Sequence, residues 1–133
     1  MEHLVGKRIA QLWVNADESE LLFIHPDGSM TAYQTWGDCC SETWFADITG
    51  YAALINATVI TAEDVEMADI DDERSRQEHD SCYGVKLTTD KGYVDIVYRN
   101  SSNGYYGGDI GPLPVGPDFD ASRFRQITDD WLA

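Results

Sequence analysis

The sequence predicts an α+β fold in a single domain, 1–133: a twisted, mostly antiparallel sheet of about five to seven strands, a short central helix and a C-terminal amphipathic helix. Three observations predict it. Runs rich in β-branched and aromatic residues recur between turn residues at 4–14, 21–25, 29–36, 54–68, 82–89 and 93–99. The last two flank Asp90-Lys91-Gly92 as a hairpin, and Tyr93 to Arg99 alternate with period two. Two other segments place apolar residues at helical spacing.

In the first run Ile9, Leu12 and Val14 are the core candidates of a strand, and Asn15-Ala16-Asp17-Glu18-Ser19 is the turn that follows. Leu21-Leu22-Phe23-Ile24-His25 is a second strand. Pro26-Asp27-Gly28 stops it, because proline fixes φ and glycine accepts positive φ. From Ser29 to Trp36 the chain alternates, so Met30, Ala32, Gln34 and Trp36 share one face and Thr31, Tyr33 and Thr35 the other. These three runs predict an antiparallel meander.

Gly37-Asp38 breaks the third strand. Ser41 is an N-cap candidate, Glu42 suits the positive end of a helix, and Trp44, Phe45 and Ile48 form one apolar face ending at Gly50. Residues 54–68 read as a strand, bent or bulged through its acidic half, since Val65 and Met67 still alternate. Residues 69–81 are almost wholly polar and form the longest predicted loop. Residues 101–110 combine glycines with paired tyrosines and predict an edge strand or an ordered turn; Pro112, Pro114 and Pro117 make an extended connector. Phe124, Ile127 and Trp131 then fall at i, i+3, i+7 behind Asp120, the pattern of a capped amphipathic helix. The predicted core unites Trp36, Trp44, Phe45, Ile48, Val59, Val85, Leu87, Val94 and Ile96.

With 43% apolar and 11% aromatic residues in 133, the chain has a globular composition and enough length for a core without staples. It carries 24 acidic against 9 basic residues, a formal net charge of -15. A polyanion repels phosphates, which argues against direct nucleic-acid binding. Nor do the basic residues Lys7, Arg8, Arg74, Arg76, Lys86, Lys91, Arg99, Arg123 and Arg125 cluster in sequence. Such a surface favours a basic partner, including one whose own ligand is DNA or RNA; the plainer role of the charge is solubility. Three cysteines, two of them adjacent, make a poor disulfide framework and predict a reducing compartment. The N-terminus has no apolar signal core and no run approaches membrane-spanning length, so a cytoplasmic protein is expected.

Chemistry-bearing residues are present without a signature. Cys39 or Cys40 at a helix N-terminus would be an activated nucleophile, with His3, His25 and His79 the candidate bases; buried structural thiols are the alternative. Cys39, Cys40, Cys82 and His79 have the right types for zinc but not the paired-ligand spacing. Asp69, Asp71, Asp72 and Glu73 lack the glycine and spacing of a calcium loop, and Asn103 to Gly108 lacks the lysine and setting of a phosphate loop. No enzyme, cofactor or metal is expected.

The segment Gly37-Asp38-Cys39-Cys40-Ser41-Glu42-Thr43-Trp44-Phe45, followed by Tyr98-Arg99-Asn100-Ser101-Ser102-Asn103-Gly104-Tyr105-Tyr106-Gly107-Gly108, resembles an uncharacterised family of small phage and prophage proteins. The resemblance runs from about residue 20 to 110 and implies a genomic setting, not a catalytic residue. Charge and setting together predict a phage-encoded interaction protein of the host cytoplasm. It would bind and block a basic, nucleic-acid-handling host protein, as a DNA mimic or anti-CRISPR-like inhibitor. The candidate contacts are Asp17, Glu18, Glu20, Glu63, Asp64, Glu66, Asp69, Asp71, Asp72 and Glu73, with no membrane contact and self-association left open. The alternative is a small metal- or thiol-site protein built on Cys39, Cys40, Cys82 and His79.

Overall fold

Strands take most of the chain. The computed structural model describes residues 1–38, 40–67, 75–77, 79–102 and 107–132. Its strands are β1 (Arg8–Ile9), β2 (Gln11–Asn15), β3 (Glu20–Ile24), β4 (Met30–Gly37), β5 (Glu42–Thr49), β6 (Ala57–Glu66), β7 (His79–Thr89), β8 (Gly92–Ser102), β9 (Gly108–Leu113), β10 (Phe124–Ile127) and β11 (Trp131–Leu132). They form a six-stranded sheet, β1-β6-β7-β8-β5-β11, and a five-stranded one, β10-β2-β3-β4-β9, with antiparallel pairing throughout. Among the described residues, helix is confined to 3-10 turns at Glu2–Leu4 and Ala121–Arg123 and one α-turn, α1 (Tyr51–Leu54). The fold is therefore all-β in character rather than α+β.

The main core lies between the sheets. Leu12, Val14, Leu21, Phe23 and Tyr33 meet Phe45, Ile48, Val59, Val85, Leu87, Val94 and Ile96 there. A smaller cluster of Leu22, Ala32 and Phe124, flanked by Trp13, Leu113, Val115 and Phe119, covers the outer face of the five-stranded sheet. With both faces covered, β3 reads as a continuous apolar run instead of an alternating one. The 82–99 hairpin and the meander agree with the sequence; β6 is bulged, but between Val59 and Thr61 and not in its acidic half, and the bulge leaves Ile60 in solvent. The first predicted strand is instead two short ones, β1 and β2.

Both predicted helices are strands, for two different reasons. In β5 the register shifts between Phe45 and Asp47, so Ala46 is an inserted residue. The bulge returns Ile48 to the face that Phe45 occupies, and a strand acquires the i, i+3 apolar spacing of a helix. In β10 Phe124 packs in the outer cluster and Ile127 in the main core. Residues three apart in a strand face opposite ways, and here both faces are covered. The predicted caps are used in other ways. Asp120 accepts from Ser122 N–H at 3.0 Å on the Ala121–Arg123 turn. Asp130 accepts from the Gly50 and Tyr51 amides at 3.0 and 2.8 Å. Gly50, at φ 88, thus begins α1 and does not end a helix; a Cβ there would lie 2.3 Å from the Tyr93 carbonyl oxygen.

Trp36 is not in the core. It is 51% exposed, whereas the other predicted core residues are buried. Of these, Trp44 lies outside the inter-sheet cluster, on the opposite face of β5 from Phe45.

Candidate functional site

The two distinctive segments of the sequence meet at one end of the sandwich. Because β4 pairs with β9, Gly37 lies opposite Gly108 and Trp36 opposite Asp109. The pairing continues into the turn: the Asp38 amide donates to the Gly107 carbonyl at 3.0 Å, and the Gly107 amide to the Asp38 carboxylate at 3.4 Å. Asn100, from β8, closes the junction by donating to Thr43 Oγ1 at 2.9 Å. Glycine at both strand ends leaves room for the neighbouring hydroxyls. A Cβ on Gly37 would lie 2.4 Å from Ser41 Oγ, and one on Gly108 2.3 Å from Thr43 Oγ1. A groove of about 320 Å³ opens here, lined by Trp36, Asp38, Gly107, Gly108 and Asp109.

Behind it, Tyr83 and Tyr98 stack with centroids 5.0 Å apart. Burial pushes the Tyr98 phenol up to about 12, aided by the negative charges of Asp109 and Asp64. Burial does the same to Tyr33, also to about 12. A raised phenol pKa means that folding favours the protonated form. The stabilisation is present below pH 10, the ordinary tyrosine value, and is lost as pH rises through about 12. An alkaline titration followed by tyrosinate absorbance is expected to contain a late component, which the Tyr33→Phe, Tyr98→Phe pair removes.

The outward face of β8 holds a buried ion pair. Arg99 and Asp80 pair with both side chains fully excluded from solvent, and Ser101 Oγ donates to Asp80. The Arg76 amide donates to Ser101 Oγ at 3.0 Å, which ties residues 75–77 over this face. The Trp44 ring contacts two guanidiniums, Arg76 at 4.2 Å and Arg99 at 5.5 Å. Sequence reasoning missed this pair. The available signal was an arginine inside the Tyr93–Arg99 alternation of a strand buried on both faces.

The profile of DUF7448, a domain of unknown function, matches residues 2–111. The chain belongs to the DUF7448 family. No curated protein and no solved structure matches it. The DUF7448 span contains both motif segments and the Arg99–Asp80 pair and ends inside β9. Outside it lie β10 and β11, each of which adds an edge strand to one sheet. Among the described residues no helix is long and apolar enough to cross a membrane.

The structure divides the predicted acidic contacts of the DUF7448 span. Glu18 reaches Arg76 at 3.5 Å and Arg125 at 4.0 Å, and Glu20 pairs with Arg123. Asp17 accepts from the Ser19 hydroxyl and amide at 2.6 and 3.2 Å, and these bonds hold its carboxyl below the usual range. Intrachain partners thus engage all three. Glu63, Asp64 and Glu66 differ: they are exposed on β6, and no cation among the described residues pairs with them. Strands β7 and β8 separate β6 from β5, where the Glu18 backbone accepts from Phe45 N–H, so the acidic groups do not form one patch. Asp69, Asp71, Asp72 and Glu73 lie outside the described residues.

Of the thiol candidates, Cys40 is exposed, at φ 72, and Cys82 is buried on β7. Cys39 and the His79 side chain lie outside what is described, and the described residues contain no cluster of three metal-ligating side chains. His25 is a structural histidine. It is buried, with Nδ1 2.7 Å from the Arg8 carbonyl and Nε2 2.7 Å from Thr31 Oγ1.

Proposed function

We propose that this chain is a non-enzymatic, phage- or prophage-encoded interaction protein that binds and blocks a basic, nucleic-acid-handling host protein. It would act in the cytoplasm as a DNA mimic of the anti-CRISPR type. One observation carries the reading: Glu63, Asp64 and Glu66 stand exposed on β6 without a cation among the described residues, in a chain of net charge -15. Asp64 and Glu66 share a strand face about 7 Å apart, two strand rises. A duplex carries one phosphate per about 3.4 Å of helix axis on each strand, so the row and a phosphate backbone have charge spacings of the same order. A groove of about 460 Å³, lined by Val65, Glu66, Met67, Gly84, Asp95 and Val97, opens on the side of β6 that Val65 and Met67 face, across the strand from Asp64. Complementary potential of this kind speeds encounter and selects basic partners.

Reversal of the row, Glu63→Lys, Asp64→Lys and Glu66→Lys together, is expected to abolish capture of a basic nucleic-acid-binding protein from bacterial lysate. The denaturant midpoint should stay nearly unchanged, since exposed charges contribute about 0–1 kcal/mol each. A captured partner retained equally by the reversed protein would remove β6 from the interface. Stoichiometric zinc in the purified chain would instead favour the metal-site alternative at Cys39, Cys40, Cys82 and His79.

A further inference from the structure

Trp36 is the largest apolar side chain left in solvent among the described residues, and its surroundings are specific. The six-membered ring of the indole lies over Gly111, where a Cβ would come within 2.4 Å of the ring carbons. The outer rim of the ring thus sits against β9 backbone. Asp38, from the turn after β4, and Asp109, from β9, line the same groove, and both are exposed. Gly107 and Gly108 also line it and contribute no side chain of their own.

We propose that this groove is a guanidinium-binding subsite that takes one arginine side chain of the partner. The proposal rests on the reading of the chain as a binder of basic proteins, and names the anchor that such a partner inserts. Three features select arginine. An open indole face attracts a cation, and a planar guanidinium stacks on it. Two carboxylates line the groove, Asp38 accepting from the Gly107 amide at 3.4 Å and Asp109 from the Ile110 amide at 2.8 Å. Beside those bonds they can accept from the fork of N–H donors that a guanidinium presents and a compact ammonium lacks. The chain also uses this pairing internally: arginines lie over Trp44 at 4.2 and 5.5 Å and over Trp131 at 5.5 Å. Among the described residues no cation lies over Trp36 or pairs with Asp38 or Asp109. The hydrogen bonds between Asp38 and Gly107 and the β4–β9 pairing fix the platform before any ligand arrives, which lowers the ordering cost of binding. Tryptophan and arginine are also the residue types that most often anchor interfaces.

Titration of the purified full chain with arginine amide, monitored by the tryptophan indole N–H signals in NMR at constant ionic strength, tests this directly. Trp36→Phe identifies the Trp36 signal by its loss. A saturable shift of that signal is expected with arginine amide and a much smaller one with lysine amide. Asp38→Asn with Asp109→Asn should abolish it, and both positions are exposed, so the fold should hold. An unmoved Trp36 signal, an equal response to lysine amide, or a response that survives the double variant would each overturn the subsite. No partner protein is used, so such a failure leaves the β6 reading to its own experiment.

Discussion

Arg99→Met is expected to lower the unfolding free energy by about 3–5 kcal/mol, a large fraction of the stability of a domain this size. The side chains of Arg99 and Asp80 are both fully excluded from solvent. Removal of the guanidinium leaves the Asp80 carboxylate buried beside Ser101 without its cation, and that desolvation cost exceeds the worth of the pair itself. Asp80→Leu alone should be similarly damaging. The double variant, in which two apolar groups replace two charges, should be less destabilised than the sum of the single changes, because no charge is then stranded. Chemical denaturation of the four proteins measures the cycle. An Arg99→Met midpoint equal to wild type would mean that the pair does not exist as described.

Trp44→Ala is expected to cost a further about 3–5 kcal/mol on the same scale, as large aromatic truncations in buried sites do. The mechanism differs from that of a core residue. Trp44 is 2% exposed but packs between Arg99 and Arg76, not between the sheets. Its loss removes the surface on which Arg76 lies and weakens the attachment of residues 75–77 over β8. Trp44→Ala should therefore raise amide exchange at Arg76, whose N–H donates to Ser101 Oγ. Phe45→Ala, on the inter-sheet face, should destabilise without that selective signature. Equal exchange at Arg76 in the two variants would contradict this division.

Periodicity revealed most strands and concealed three, β5, β10 and β11. The segments that became β3, β4, β7 and β8 alternate, or run apolar, as pleated strands must. β5 and β10 read as helices because an i, i+3 spacing has three sources: a helix face, a strand with a bulge, and a strand covered on both sides. Ala46 supplies the second case, and the 113–124 segment, folded over the outer face, supplies the third. Neither source is visible until the partner strands are known. Trp36 misled for a related reason. It occupies the same face as Ala32, but β9 offers it a glycine bed at the edge of the outer cluster and no cover.

The candidate site was legible in part. Glu63, Asp64 and Glu66 could be read as a surface row because the strand they sit on is acidic along its own length. That Glu20 is already paired could not be read, because its arginine lies 103 residues away. The convergence of Asp38, Gly107 and Asp109 was equally non-local. It depends on the β4–β9 pairing, although both contributing segments stood out in the sequence. An open strand edge also explains some of the charge without any partner. The 61–66 stretch of β6 has no described neighbour on its β1 side, and carboxylates there discourage pairing with a second chain.

Competition by nucleic acid separates mimicry from simple acidity most directly. Binding of the chain to its captured basic partner would be measured by calorimetry over a salt series, with and without that partner's own DNA or RNA. Mimicry predicts affinity that falls as salt rises, exclusion of the chain by the nucleic acid, and a shallower salt dependence when Glu63 and Asp64 are changed to Gln and Asn. A partner that holds its nucleic acid and this chain together, with an affinity indifferent to salt, would contradict the account.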